Sequence, residues 1–240
     1  MVSRETLIRS GLAEFGLTPD GDAVRRLARY AELLEEVAIP RGFIGPAESL
    51  RTIPRHILEC AALAPFVVRP GPLMDVGSGA GLPGIVLACL GLEPIMLIEA
   101  QARRGAFLRE VAQHLDLDVE VVHGRAEVLA RGDLRENAAS VTARAIAEPV
   151  IGLELTLPLT RVGGRVLMLL GPISSTRREA LDAASEVLGA EAPEVRGFDV
   201  AGLDEGRWVA IVRKVRETPD RYPRAPRAMR RRPLGIVLRE

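Results

Sequence analysis

A chain of 240 residues that is 48% hydrophobic and 27% charged has the make-up of a globular protein, one large domain or one domain plus a small appendage. At this length it can bury roughly 70% of its unfolded surface, so it needs neither disulfide nor metal to fold. The formal net charge is zero but uneven: Arg213–Glu240 carries nine arginines and Lys214 against three acids, so the tail is +7 and the rest −7.

A basic tail on an acidic body points to a polyanion partner, the alternative being a solubilising extension. No apolar run approaches the ~18 residues of a membrane span, and the start Met1–Thr6 opens no secretory leader, so a cytoplasmic protein is expected. Cys60 and Cys89 sit in apolar helical contexts and read as reduced core residues. His56, His114 and His123 make no zinc-ligand spacing with them, so no metal is expected.

In chain order, the first 65 residues read as helical. Val24, Leu27, Ala28, Ala31 and Leu34 recur at three- and four-residue steps, with Asp20 or Asp22 as candidate cap and Pro40 with Gly42 as the stop. A second helix is expected over 54–67, carrying Ile57, Leu58, Ala61 and Leu63. After Arg69-Pro-Gly-Pro the pattern changes to short strands, expected at 73–76, 95–99, 119–123, 140–143, 165–170 and 208–215, separated by helical segments such as 104–115. This alternation implies an α/β fold with a mainly parallel, doubly wound, Rossmann-like sheet. The organisation expected is a helical subdomain (1–68), the sheet-bearing core (69–217) and an Arg/Pro-rich tail (218–240), whose segment 221–232 reads as irregular or as an extended arm.

The strand at 73–76 runs into Gly77-Ser-Gly79-Ala-Gly81-Leu82-Pro83-Gly84 and then a helix, the strand–turn–helix of a ligand site at the carboxyl end of such a sheet. Two frames overlap. Gly79-x-Gly81-x-x-Gly84 satisfies the dinucleotide fingerprint of a nicotinamide enzyme, whereas Asp75-x-Gly77-x-Gly79-x-Gly81 is the pattern of S-adenosylmethionine-dependent methyltransferases. Asp75 favours the second, as an acid near the methionine end of the cofactor. So does Pro83, which removes an N–H that a pyrophosphate would want. Glu99, 22 residues after Gly77, would bond ribose hydroxyls in either frame.

The methylated atom can be narrowed. The segment Thr142-Ala-Arg144-Ala lacks the Asn/Asp-Pro-Pro-aromatic cluster that grips an exocyclic amine, and neither cysteine follows a late strand. What remains is a nucleophile that already has a lone pair and needs only positioning, of which guanine N7 is one.

The run Asp75-Val-Gly-Ser-Gly-Ala-Gly-Leu-Pro-Gly-Ile resembles the signature of the glucose-inhibited division protein B (RsmG) family. Arg41-Gly-Phe-Ile-Gly-Pro, Arg55-His-Ile-Leu-Glu-Cys60-Ala, Gly124-Arg-Ala126-Glu127 and the tail from Arg221-Tyr-Pro-Arg224 extend the likeness over nearly the whole chain. The resemblance implies S-adenosylmethionine-dependent methylation of guanine N7 in a hairpin loop of bacterial 16S rRNA, free or in a pre-ribosomal particle. It implies that Gly77 and Leu82 line the methionine and adenosine site, with Glu99 and Ala100 at the ribose and Ala126 and Glu127 at the adenine edge. Arg144 would face both cofactor and substrate as the catalytic residue. Asp75, Gly79 and Gly81 complete the cofactor set, and Arg55, Arg221, Arg224 and Arg227 are the RNA-binding candidates. There are two departures. Where the family commonly reads Leu-Lys-Gly or Met-Lys-Gly, this chain has Leu169-Leu170-Gly171, and its tail lacks the Gly-x-Pro that often follows Tyr-Pro-Arg. A related methyltransferase acting on another RNA, a nicotinamide oxidoreductase and a non-catalytic rRNA-binding protein are the competing readings.

Overall fold

The computed structural model describes residues 2–235. It opens with α1 (Arg4–Glu14) and α2 (Gly21–Leu33), each started by a side-chain cap: Ser3 accepts from the Thr6 amide and Asp20 from the Ala23 amide, at 3.2 and 2.8 Å. Asp22 therefore lies inside the first turn of α2 and is not its cap. The stripe Val24, Leu27, Ala28, Ala31 and Leu34 is buried, and Tyr30 with it. The helix at 54–67 is less regular than expected. A π-helical stretch (Thr52–Leu58) leads into one turn, α3 (Glu59–Ala61), then a 3-10 turn (Ala64–Phe66). Pro54 has no N–H with which to close a regular turn there.

Seven strands follow: β1 (Leu73–Val76), β2 (Ile95–Glu99), β3 (Val119–His123), β4 (Ala138–Arg144), β5 (Thr160–Leu170), β6 (Glu194–Phe198) and β7 (Arg207–Arg213). They form one sheet in the order β3-β2-β1-β4-β5-β7-β6. The first five are parallel, and β7 runs antiparallel between β5 and β6. This is the mainly parallel, doubly wound sheet read from the sequence. β6 escaped that reading because Glu194-Val-Arg-Gly-Phe is an edge strand with a central glycine and no residue fully buried.

The intervening helices are α4 (Gly84–Cys89), α5 (Ala102–His114), α6 (Ala126–Leu129), α7 (Pro149–Thr156) and α8 (Ser175–Leu188). They cover both faces, which is why β1 and β4 are buried almost end to end without alternation. On one face, α2, Ile57–Leu63, α4 and α5 share a single apolar core with the sheet. The other face carries α7 and α8 together with Tyr222 and Met229 from the tail.

The tail is thus not the irregular or extended arm expected. Its segment Pro226–Arg231 forms α9, Tyr222 and Met229 are buried, and Arg131 and Arg135 donate to the carbonyls of Pro223 (2.6 Å) and Tyr222 (3.0 Å). Arg224 closes a two-toothed ion pair on Glu154, a carboxylate only 1% exposed, at 2.8 and 2.7 Å. Composition reads the arginines as solvated; buried carbonyls and a buried acid draw them onto the fold instead.

Candidate active site

The order β3-β2-β1-β4 places the switch point of the sheet between β1 and β4, and the cleft opens beyond their carboxyl ends. The glycine loop leaves β1 there. The amides of Gly77 and Ser78 donate to the Ile98 carbonyl at 2.9 and 3.1 Å, which ties the loop to the end of β2. Gly77 has φ +69°, and a Cβ on it would stand 3.0 Å from Ile146, so its missing side chain leaves the cleft floor open. Gly81 faces inward: with φ +101°, its Cβ would come 2.8 Å from the Tyr30 hydroxyl. Tyr30 in turn donates to the Ala80 carbonyl at 2.7 Å, so α2 holds the loop from below.

Asp75 sits under this loop rather than in the cleft. It is fully buried, accepting from Thr142 Oγ1 (2.9 Å) and the Gly84 amide (3.1 Å), and lines none of the cavities described below. Burial pushes its pKa up to about 6, against the hydrogen bonds from Thr142, Gly84 and Ser78. Asp75 therefore braces the loop that would hold a cofactor.

Three cavities join along the cleft. The first, about 510 Å³, is lined by Gly77, Glu99, Ala100, Ala126 and Glu127, and by Pro226, Met229 and Arg230 of the tail. The second, about 480 Å³, lies between Arg55, Arg144, Leu170, Arg177 and Arg207. The third, about 310 Å³, holds Glu48, His56, Gly79, Leu82, Arg104 and Arg144. Gly77 and Arg104 line both the first and the third, and Ala145 lines all three. Of the sequence-selected cofactor residues, Glu99, Ala100, Ala126 and Glu127 come together around the first cavity, while Gly79, Leu82 and Arg144 lie around the third. Glu99 accepts from the amides of Gly79 and Gln101, both at 2.8 Å, which holds its carboxylate at the cavity wall.

Arg144, at the end of β4, turns toward the N-terminal segment. Its guanidinium stands 3.1 Å from Glu59 and donates to Cys60 Sγ (3.4 Å) and His56 Nδ1 (3.2 Å). Because a guanidinium can only donate, His56 is neutral with its proton on Nε2. Burial, then the charges of Arg144, Arg55 and Arg51, hold its pKa down to about 3. Burial pushes the Cys60 and Cys89 thiols up to about 12, so both are inert at neutral pH.

The RNA-binding candidates divide. Arg55 pairs with Glu48 at 3.1 Å and lines the second and third cavities. Arg221 and Arg227 are exposed. Arg224 is committed to Glu154 and offers little charge to a ligand.

Several residues around the cleft were not legible beforehand: Glu48, Arg104, Arg207, Tyr30 and the α9 wall. Tyr30 alone had a signal, standing three residues after Leu27 on the apolar stripe of α2. Arg104 Nε and Glu48 Oε2 are buried without hydrogen bonds, and both residues line the third cavity. An S-adenosylmethionine molecule ends in a carboxylate and an ammonium, so an unpaired cation and an unpaired anion beside a glycine floor fit that group. No group of three or more His, Cys, Asp and Glu among the described residues could hold a metal, and no helix of the described residues is long and apolar enough to cross a membrane.

Comparison with known proteins bears on the same cleft. The chain is 17% identical to TYW2 of M. jannaschii, solved in complex with AdoMet, with a TM-score of 0.52 over 67% of this chain and 76% of that one. It is 35% identical over 239 residues to ribosomal RNA small subunit methyltransferase G of Symbiobacterium thermophilum, covering 95% of this chain and 97% of that protein. The protein of that name from Streptomyces coelicolor is 44% identical over 71% of this chain and 72% of its own. The profile described as GidB, rRNA small subunit methyltransferase G, matches residues 23–201. The fold is that of a class I methyltransferase, S-adenosylmethionine is its cofactor, and the chain belongs to the rRNA small subunit methyltransferase G family.

Proposed function

We propose that the chain methylates N7 of a guanine in a loop of small-subunit rRNA, in the cytoplasm where ribosomes are assembled. The observation that carries this reading is the cleft itself: a glycine-floored cavity edged by Glu99 opens directly into an arginine-lined one. When bound, S-adenosylmethionine supplies an electrophilic methyl on a sulfonium. The chain's own part is to hold it and align the acceptor. Glu99 would take the ribose hydroxyls, Ala126 and Glu127 the adenine edge, Arg104 the carboxylate and Glu48 the ammonium. Arg144, braced by Glu59 and His56, would fix the mouth where cofactor and base meet. Residues 1–68 serve as a cover over the methionine end, 69–217 as the catalytic core, and 218–240 as a clamp on the first cavity.

Guanine N7 carries no proton, so its methylation needs no general base. The chemistry at hand agrees with this, because His56, held down to about 3, is a poor base, and Cys60, pushed up to about 12, is no nucleophile. Rate enhancement would come from alignment and preorganised charge, with alignment capable of about 7–11 kcal/mol.

The test is to delete the gene and map N7-methylguanine across small-subunit rRNA by reduction and strand scission. One signal should vanish, and return with the wild-type chain but not with Gly77→Arg, whose side chain would fill the cleft floor. An unchanged map would remove the proposed substrate.

A further inference from the structure

The second cavity holds an arginine with nothing adequate to bind. Arg207, the first residue of β7, is only 4% exposed, yet its Nε and Nη2 are buried without a hydrogen bond. Its nearest acids stand off at 3.4 Å (Glu59) and 3.5 Å (Glu205). Glu59 is shared, since Arg144 stands 3.1 Å from it. A guanidinium stripped of water and left without hydrogen bonds is costly, and such a group calls for a ligand more than for a structural role. If Arg207 served only to tie α3 to the sheet, a close two-toothed pair with Glu59 would be expected, as Arg224 makes with Glu154.

The surroundings give the sign of that ligand. Arg55, Arg144, Arg177 and Arg207 line the cavity against Glu59 and Glu148, four positive charges to two negative. Leu170 contributes an apolar wall, so the cation on this side comes from the neighbouring strand β7. The cavity shares Ala145, Ala147 and Glu148 with the first, so an occupant would lie beside the cofactor. Its volume of about 480 Å³ exceeds a lone phosphate and leaves room for an attached sugar.

We propose that the second cavity seats a phosphodiester of the substrate RNA next to the methylated nucleotide, gripped by the buried fork of Arg207 with Arg177 at the rim. The planar fork of an arginine suits a phosphate's two free oxygens. This positions the nucleotide without reading its sequence. The inference rests on the reading that RNA is the substrate.

The test compares wild type with Arg207→Gln and Arg207→Lys, using unmodified small-subunit rRNA transcribed in vitro. Each variant is measured for RNA affinity at several salt concentrations, for S-adenosylhomocysteine affinity and for Tm. For Arg207→Gln, RNA binding should weaken about tenfold, and the slope of log K against log salt should lessen by about 0.7–0.9, one phosphate contact. S-adenosylhomocysteine affinity should stay the same. Arg207→Lys should recover the slope but only part of the affinity. An unchanged slope in Arg207→Gln overturns the proposal. If that variant proves unstable, Arg177→Gln at the exposed rim decides, by the same slope. Inorganic phosphate is the control for a free anion: a rise in Tm that Arg207→Gln abolishes, with the RNA slope unmoved, would make this an anion site unconnected with RNA and would also overturn it. If wild type methylates no rRNA yet binds it with a slope that Arg207→Gln lessens, the proposed function fails while this site stands.

Discussion

At the scale of single residues, the cofactor end of the cleft rests on two unpaired buried atoms of opposite sign, Arg104 Nε and Glu48 Oε2. If they take the carboxylate and ammonium of the methionine moiety, each is blind to the nucleoside. Titration calorimetry with S-adenosylhomocysteine and with 5′-methylthioadenosine, which lacks the amino-acid end, separates the two contributions. Arg104→Gln and Glu48→Gln should each weaken S-adenosylhomocysteine about tenfold, the low end of a charged hydrogen bond at about 1.5 kcal/mol. Neither should alter 5′-methylthioadenosine. Equal losses on both ligands would move Arg104 to the ribose side instead. Neither residue was legible from spacing: Glu48 lies in an irregular stretch, and Arg104 is one of 31 arginines. What marks them is desolvation, a property of neighbours that the chain brings from elsewhere.

At the scale of elements, the tail changes meaning most. As sequence it is a +7 segment, yet Lys214 is wholly buried, donating to Glu136 (2.7 Å) and to the Leu157 carbonyl (2.8 Å), and Arg224 is spent on Glu154. The tail should therefore separate by residue. Arg224→Ala leaves the Glu154 carboxylate buried and alone and should cost about 3 kcal/mol in urea denaturation. The pair Arg221→Gln with Arg227→Gln, both exposed, should leave stability within about 0.5 kcal/mol. It should reduce the salt slope of RNA binding by about 1.5, two phosphates. Deleting the whole tail would confuse these effects, because Pro226, Met229 and Arg230 also wall the first cavity. The helical N-terminal segment behaves alike. Its stripe was plain, but that Tyr30 would reach the Ala80 carbonyl 50 residues away was not.

At the scale of the whole molecule, Asp75 joins β1, β4 and the start of α4 through Thr142 and Gly84, so its protonation bears on global stability. Its folded pKa of about 6 lies above the usual 3.8, so between those values the folded state holds more protons than the unfolded one. Stability from this group is therefore greatest in acid and falls as pH rises from about 4 to 6. An asparagine in its place could accept from the Gly84 amide and donate to Thr142 Oγ1, keeping both partners. The stability of wild type relative to Asp75→Asn should fall by about 3 kcal/mol from pH 4 to 7, by the roughly 1.36 kcal/mol per pKa unit of linkage. Denaturation curves for both chains at each pH check this, and a constant difference would mean that Asp75 titrates normally.

The strand–glycine–helix run, the alternation of strands and helices, and Glu99 at the end of its strand were set by local sequence, because backbone turns and burial periodicity act over a few residues. The same locality made the sheet's class and the cofactor legible. The position of Asp75 beneath the loop, the capture of the tail by Glu154, the neutrality of His56 and the stranded fork of Arg207 were decided only by tertiary structure. Each depends on which charges and carbonyls are brought together and deprived of water, and desolvation is set by distant segments of the chain meeting, which no spacing along it records.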